Sequence, residues 1–283
     1  MIRTSPILST SMSESITPLI PSEGLNVLHL FYELNYGAWE LLSPEEKQQR
    51  KQQFIDLVQE AKGKEKTQVV TISMIGRADL GIMIVAPDLH QVNALEKKIQ
   101  RTLGPDVLSL TYSYYSLTEL SEYTQTEPQY REMLIQKEKM TEGTPEFEQK
   151  MKAFQERYNG YTLFRLYPNL PDWEFFCFYP MSKRRNEGQN WYAQDQETRH
   201  EMMIGHGMIG RKYAGKIQQV ISGSVGLDDW EWGVTLFAHN PVEVKAILYE
   251  MRFDKVSRKY GEFGEFFTGM PLPLPLIFER LGL

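Results

Sequence analysis

The strongest constraint on the fold is an internal repeat. The segment DLGIMIVAPD at 79–88 resembles EWGVTLFAHN at 231–240. Each segment is an apolar, strand-like run that leads into a predicted helix and then into an aromatic strand. The shared order of elements carries this inference more than the letters, whose identity is low. A chain that repeats one unit in this way is expected to fold as two similar halves packed as a pseudo-symmetric pair.

The first half is predicted to have the order βαββαβ. Short runs rich in branched and aromatic residues favour strands, and Ser43 followed by Pro44 and two glutamates is a helix start. This order is typical of the ferredoxin-like unit. The predicted elements are a strand at 25–34, a helix at 44–61, strands at 68–74 and 80–86, a helix at 89–103 and a strand at 107–117.

The second half follows a charged connector. The connector takes residues 121–159, with a helix near 145–158, between a first unit at 24–120 and a second unit at 160–283. The predicted fold class is therefore α+β, with two ferredoxin-like βαββαβ units in tandem. The elements predicted for the second unit are strands near 162–167 and 173–179, a helix within 196–213, strands near 216–224 and 232–238, a helix near 242–257 and a strand at 261–267.

The composition of the 283 residues excludes several classes of protein. Apolar residues make up 41% of the chain, and no apolar run approaches the roughly 20 residues that a membrane span needs. The net charge of −6 argues against broad nucleic-acid binding. A single cysteine, Cys177, excludes a disulfide within the chain. Residues 1–23 are rich in Ser, Thr and Pro without a signal-peptide pattern, which predicts a disordered tail and a cytoplasmic protein.

Residues 179–219 carry the candidate chemistry. Tyr179 is an oxidisable phenol at the end of an aromatic strand, and Lys183 beyond it is able to pair with a carboxylate. His206 stands between two glycines that would let a flat ring approach the backbone, and a histidine is a common axial ligand of iron. The ordinary alternatives are a half-buried aromatic for Tyr179, a solvated Lys183 and a polar helix-end residue for His206.

Cations and an amide surround this stretch. The clusters at 183–185 and 211–212 stand out in an acidic chain and indicate either a local anion site or a solvated face. Arg165 lies in an otherwise apolar run, so its guanidinium calls for an anionic partner, either a bound carboxylate or Glu174. Gln219 opens the next strand and either meets a ligand or is a surface amide. Together these residues suit a porphyrin bearing many carboxylates.

Several longer motifs resemble those of the coproheme decarboxylases of the chlorite dismutase superfamily. The resemblance spans roughly residues 25–269 and is sharpest in the second unit. It implies a fold of the dimeric α+β barrel type, a homopentamer and transient contact with a ferrochelatase. The motifs are YPMSK at 179–183, HG at 206–207, GKIQQ at 215–219, GSVGLDDWEWGVTLF at 223–237, MRFD at 251–254 and YGEFG at 260–264.

The resemblance also implies a step in haem synthesis. Such enzymes use hydrogen peroxide to decarboxylate two propionates of iron coproporphyrin III (coproheme) to vinyl groups, and they form haem b through a three-propionate intermediate. His206 would then be the iron ligand, and Tyr179 and Lys183 the catalytic residues. The porphyrin-binding residues implied are Arg165, Tyr179, Pro180, Met181, Ser182, Lys183, Gln219 and Ser257.

Two other functions stay open at this point. A haem carrier or chaperone would need Arg165 and His206 but not Tyr179. Chlorite decomposition is the other function, but relatives with that activity carry an arginine where Gln219 would align, and a neutral amide stabilises an oxychlorine anion less well. The carboxylate or carbonyl that orients His206 is open among Asp228, Asp229, Glu231 and others.

Overall fold

The computed structural model of the chain describes residues 16–283. The first 15 residues of the tail predicted at 1–23 lie outside the described part. In the rest of that tail, the main chain of Leu19 is bonded to the body of the protein. Its N–H donates to Asp88 Oδ1 at 3.0 Å, and its carbonyl accepts from the N–H of Leu89 at 3.0 Å.

The described chain alternates strands and helices. No helix in residues 16–283 is long and apolar enough to cross a membrane. The elements are β1 (Asn26–Leu34), α1 (Tyr36–Glu40), α2 (Pro44–Lys62), β2 (Gln68–Ile75), β3 (Leu80–Ala86), α3 (Leu89–Thr102), β4 (Leu108–Thr118), α4 (Glu127–Gln136), α5 (Pro145–Leu166), β5 (Phe175–Lys183), α6 (Gln196–Lys212), β6 (Ile217–Gly223), β7 (Trp232–Ala238), α7 (Pro241–Met251), α8 (Lys255–Tyr260), β8 (Gly261–Phe263), β9 (Phe267–Pro271) and α9 (Leu274–Leu281).

The strands form one antiparallel sheet that closes on itself. The first unit has the strand order β4-β1-β3-β2, and the second unit has the order β6-β7-β5-β9. The fourth strand of each unit pairs with the second strand of the other, β4 with β6 and β2 with β9. The short β8 pairs with the end of β5 outside this ring. The predicted α+β fold, a barrel built from two βαββαβ units, is confirmed.

Aromatic side chains fill the inside of the ring. Phe31 from the first unit stacks on Phe267 from the second with centroids 4.2 Å apart, and His29 stacks on Phe178 at 4.1 Å. His29 is fully buried, and its Nε2 lies 2.9 Å from Thr235 Oγ1. Burial lowers the pKa of His29 to about 3, because the apolar interior disfavours the charged imidazolium. These contacts join the two units through the interior.

Helices seal the outer face of the first unit. α2 begins at a capping box in which Ser43 and Glu46 each accept a hydrogen bond from the other's N–H. It buries Phe54 and Val58 in an apolar cluster, to which α3 and α9 add further side chains. This face therefore has a closed apolar layer between sheet and helices.

The outer face of the second unit is covered differently. α7 buries Val244 and Ile247 in the apolar cluster of this face. α6 holds the place in its unit that α2 holds in the first, yet it buries none of its side chains. Gly207 and Gly210 explain part of this difference, since they give α6 no side chains with which to fill the space beneath it. A gap therefore remains between α6 and the sheet.

The run at 162–167, predicted as a strand, is helical. It forms the last turns of α5, which starts at Thr144 and Pro145 and continues to Leu166. Extending an existing helix adds one hydrogen bond per residue, and this outweighs the weak strand preference of the aromatic letters. Thr118 at the end of β4 fixes the helix end, because its Oγ1 donates to the carbonyl of Leu166 at 2.7 Å.

Two other predicted elements are each divided in the structure. The helix predicted near 242–257 is α7 followed by α8, because Asp254 starts a new helix by accepting from the N–H of Ser257 at 3.0 Å. The strand predicted at 261–267 is β8 and the start of β9. α1, α4 and α9 have no counterpart in the sequence prediction, and α9 begins among prolines that are typical of loops.

Candidate active site

A cavity of about 1890 Å³ lies in the second unit, lined by α6 and by strands β5, β6 and β7. It is large because α6 does not pack onto the sheet as α2 does in the first unit. The segment that follows β4 and the end of α5 also line it. Its sheet side carries the apolar side chains of Ile221, Val234 and Leu236, and Phe266 before β9 and Ile247 and Met251 on α7 add to the apolar lining.

His206 on α6 lines this cavity and is held by a carboxylate. Its Nδ1 lies 2.9 Å from Asp254 Oδ2, and the same carboxylate accepts from the N–H of Ser257 at 3.0 Å. Burial opposes ionisation of Asp254, but the hydrogen bonds from His206 and Ser257 outweigh it and hold the pKa of Asp254 below its usual value. An ionised carboxylate only accepts, so Nδ1 carries the proton and Nε2 keeps the free lone pair. His206 is thus prepared to bind a metal through Nε2.

Tyr179 lines the same cavity from β5. Its side chain is only 6% exposed, and its ring stacks on Phe266 with centroids 4.6 Å apart. Phe263 lies 5.9 Å away on another side. Burial raises the pKa of Tyr179, so the phenol stays protonated at neutral pH. Removing an electron from this side chain would therefore also release its proton.

Lys183 lines the cavity four residues further along the same strand. It is 8% exposed, and its Nζ lies 5.1 Å from the ring centroid of Trp191. Burial lowers the pKa of Lys183 to about 8, while the negative charges of Asp254 and Glu231 act in the opposite direction. The ammonium is therefore partly deprotonated slightly above neutral pH.

Pro180 and Ser182 lie on the opposite face of β5. Successive side chains of a strand alternate between faces, so Tyr179, Met181 and Lys183 line the cavity and the residues between them do not. Pro180 packs against Gly264, and Ser182 Oγ accepts from the N–H of Glu231 at 3.2 Å. The structure therefore does not bring these two of the predicted porphyrin-binding residues to the cavity wall.

Gln219 shares the cavity-facing side of β6 with Ile217 and Ile221, which belong to the outer apolar cluster. The Gln219 amide extends towards α6: its Nε2 lies 3.7 Å from the position that a Cβ atom at Gly210 would take. The neighbouring Gln218 also borders the cavity, but its amide donates to the carbonyl of Asn169 at 2.6 Å. Because the amide of Gln218 is already hydrogen-bonded to Asn169, Gln219 is the residue whose amide is directed at α6.

Arg165 borders the cavity from the last turn of α5. Its Nε and Nη2 donate to the carbonyl of Glu119 at 3.2 and 3.1 Å. Glu174, the protein partner considered from the sequence, instead pairs with His239. Burial raises the pKa of Glu119, whose carboxylate accepts from Trp232 Nε1 at 3.0 Å. Further cavity-lining side chains with positive charge or hydrogen-bonding capacity include Lys137, Arg184, His200, Arg211, Arg252, Ser257 and Arg258.

Sequence reasoning missed Asp254, Trp191 and Glu119, and it considered Glu231 only as a partner for His206. Asp254 orients His206, Trp191 covers Lys183, Glu231 bonds to the Lys183 main chain and Glu119 positions Arg165. Asp254 had a signal, because an aspartate three residues before Ser257 is a helix N-cap. For the others the partners are 8 to about 50 positions away in sequence and meet only in the fold.

The fold and the site together define a class of protein: a closed α+β barrel with a cavity on its outer face and, in that cavity, a histidine hydrogen-bonded to a carboxylate. The sequence pattern of the family described as chlorite dismutase matches residues 47–272, and the chain belongs to that family. A solved haem-binding protein from Thermus thermophilus is 35% identical, with a TM-score of 0.76 over 92% of this chain and 96% of that one.

More distant structures share the fold. A mutant chlorite dismutase from Candidatus Nitrospira defluvii is 17% identical, with a TM-score of 0.69 over 93% of this chain and 98% of that one. The imidazole complex of chlorite dismutase from the same organism is also 17% identical, with a TM-score of 0.68 over 93% and 97% of the two chains. At this identity the similarity concerns the fold alone.

Proposed function

We propose that this chain is a coproheme decarboxylase, which uses hydrogen peroxide to convert two propionates of iron coproporphyrin III into vinyl groups and forms haem b. The observation that carries the proposal is that Tyr179, Lys183 and His206 line one continuous cavity. The sequence motifs at 179–183 and 223–237 support it. The 35% identity to a haem-binding protein supports a porphyrin as the ligand.

The cavity suits an iron porphyrin with several carboxylates. Apolar walls fit the faces of a flat ring, and the volume of about 1890 Å³ leaves room for its substituents. His206 would bind the iron through Nε2, with Asp254 holding the imidazole in place. The propionates would meet cations that border the cavity, which include Arg165, Lys183, Arg184, Arg211, Arg252 and Arg258.

The reaction balances with peroxide as the oxidant. In each of two rounds, one propionate, one hydrogen peroxide and one proton give one vinyl group, one carbon dioxide and two waters. A C–H bond on the carbon next to the ring and the C–C bond to the carboxyl group break, and a C=C bond forms. Iron in the bound porphyrin supplies the chemistry that passes the two electrons to peroxide.

Tyr179 would take the hydrogen atom from the propionate. Its phenol is protonated because burial raises its pKa, so oxidation removes an electron and a proton together and leaves a radical. Stacking on Phe266 holds the ring in the wall of the cavity. Lys183, on the same face of β5, would bind the propionate carboxylate, and a pKa of about 8 suits it to exchange a proton near neutral pH.

The test compares Tyr179→Phe with Tyr36→Phe, which makes the same chemical change at an exposed position on α1. Each protein is loaded with iron coproporphyrin III and titrated with hydrogen peroxide, and the porphyrin is analysed by mass. We expect Tyr179→Phe to bind the porphyrin and yield no haem b, while Tyr36→Phe and the unchanged protein lose two carboxyl groups. Normal turnover by Tyr179→Phe would refute the radical role.

The same titration separates the alternative functions. A carrier would bleach the porphyrin without loss of carboxyl groups in the unchanged protein. Chlorite decomposition would release oxygen on addition of chlorite, which we do not expect with the neutral Gln219 in the cavity.

We further propose a cytoplasmic homopentamer that receives its substrate from a ferrochelatase. Val242, Tyr249 and Phe253 expose apolar surface on and just after α7, which supports an interface with another chain. Analytical ultracentrifugation tests the oligomer, and a monomer at micromolar concentration would contradict it.

A further inference from the structure

Glu231 is a buried carboxylate with an unusually fixed position. It lies directly before β7 and is 7% exposed. Its N–H donates to Ser182 Oγ at 3.2 Å, and its carbonyl accepts from the N–H of Ser224 at 2.7 Å. Its Oε2 accepts from the main-chain N–H of Lys183 at 2.8 Å. Two hydrogen bonds thus hold Glu231 against the end of β5, and the third joins its backbone to the segment after β6.

The surroundings of the Lys183 ammonium explain why a charge is buried here. The ammonium is held against the ring of Trp191, and the negative groups that act on it are Asp254 at the start of α8 and Glu231. Asp254 already accepts from His206 and Ser257. Burial and the neighbouring Glu231 carboxylate raise the pKa of the Tyr192 phenol.

We propose that Glu231 is a positioning residue for Lys183: its carboxylate fixes the Lys183 main chain at the end of β5, and its negative charge keeps the buried ammonium charged in the cavity wall. The consequence for turnover rests on the proposed function. The effect on Lys183 itself does not, because it is a property of the protein without porphyrin.

The direction of the effect follows from electrostatics. Burial disfavours the ammonium and a neighbouring negative charge favours it, so removing the charge of Glu231 must lower the pKa of Lys183 further. A shift of about one unit, the lower end for a nearby opposite charge, would reduce the charged fraction at pH 7 from about nine tenths to about half.

Glu231→Gln is the decisive variant, because the amide keeps the size and an oxygen acceptor for the Lys183 N–H but removes the charge. Glu243→Gln is the matched control, since it removes one negative charge from the pair of Glu243 with Lys216 on the surface of the same unit. The full-length proteins carry ¹³C-labelled lysine, with the Lys183 signal assigned by Lys183→Met, and the ¹³Cε shift is followed against pH without added porphyrin.

We expect the Lys183 midpoint to fall by about one pH unit in Glu231→Gln and to stay unchanged in Glu243→Gln. The alkaline limb of the turnover profile should move down by the same amount. An equal midpoint in both variants would overturn the proposal, whatever the outcome for Tyr179→Phe, which tests the function separately. If Glu231→Gln does not fold, the double variant K183M/E231Q decides: recovery of a folded protein supports the coupling, and continued misfolding contradicts it.

Discussion

His206 Nδ1 and Asp254 Oδ2 lie 2.9 Å apart, although the two residues are 48 positions apart in sequence. This contact ties the middle of α6 to the start of α8. Although α6 buries none of its side chains, Met202 and Met203 pack against an apolar cluster and Lys212 pairs with Glu250 on α7, so this hydrogen bond is one of several contacts that position the helix. The imidazole that would bind iron is therefore oriented by one carboxylate on a neighbouring helix.

Asp254→Asn should weaken iron-porphyrin binding by about 10- to 100-fold, because an amide no longer supplies the negative charge that orients the imidazole and raises its basicity. Absorption titration with iron coproporphyrin III measures the affinity and the Soret band. His206→Ala provides the reference for a lost ligand, and Asp229→Asn, at an exposed position, is the matched control. An affinity of Asp254→Asn equal to that of the control would show that the contact does not support the metal.

Ser182→Ala and Met181→Ala should separate stability from binding. Ser182→Ala leaves the buried N–H of Glu231 without its acceptor and should lower the free energy of unfolding by about 1–3 kcal/mol with unchanged porphyrin affinity. Met181→Ala removes apolar surface from the cavity wall and should lower the affinity instead. Denaturant unfolding and absorption titration measure the two quantities, and a reversed pattern would mean that the two faces of β5 are misassigned.

Acid should destabilise the protein through His29. Its folded-state pKa of about 3 lies below the ordinary value of 6.5, so the unfolded chain takes up a proton first as the pH falls. The stability that depends on neutral His29 is complete above about pH 6.5 and is lost between there and about pH 3. From pH 7 to pH 5 this loss is about 2 kcal/mol.

His29→Gln supplies the comparison for this loss, because the carboxylates contribute equally to both proteins. The free energy of unfolding of the unchanged protein should fall by about 2 kcal/mol more than that of the variant between pH 7 and pH 5. Equal falls in both proteins would show that His29 takes up its proton in the folded barrel as readily as in the unfolded chain.

Local sequence signals predicted elements where they are strong. The strands at 80–86 and 232–238 coincide with β3 and β7, since each is a continuous buried run bounded by turns. The start of α2 was equally clear from its capping box. The strand predicted at 162–167 failed because the choice there depended on a helix already begun at Pro145.

The site could be predicted in part. The motif at 179–183 drew attention to β5, but only the strand geometry separates Tyr179, Met181 and Lys183 from Pro180 and Ser182. The sequence left open which group orients His206: Asp254 meets His206, whereas Glu231, one of the acids considered, meets Lys183. Contacts between residues so far apart depend on how helices and strands pack, which no local pattern contains.

Helices α2 and α6 hold equivalent places in the two units but pack differently against the sheet, so the two units have different roles. In the first unit the helix closes an apolar layer and so contributes to holding the molecule together. In the second unit the equivalent helix does not pack onto the sheet and leaves space for a ligand. Substitutions on α6 can therefore change the chemistry of the cavity while the first unit keeps the fold stable.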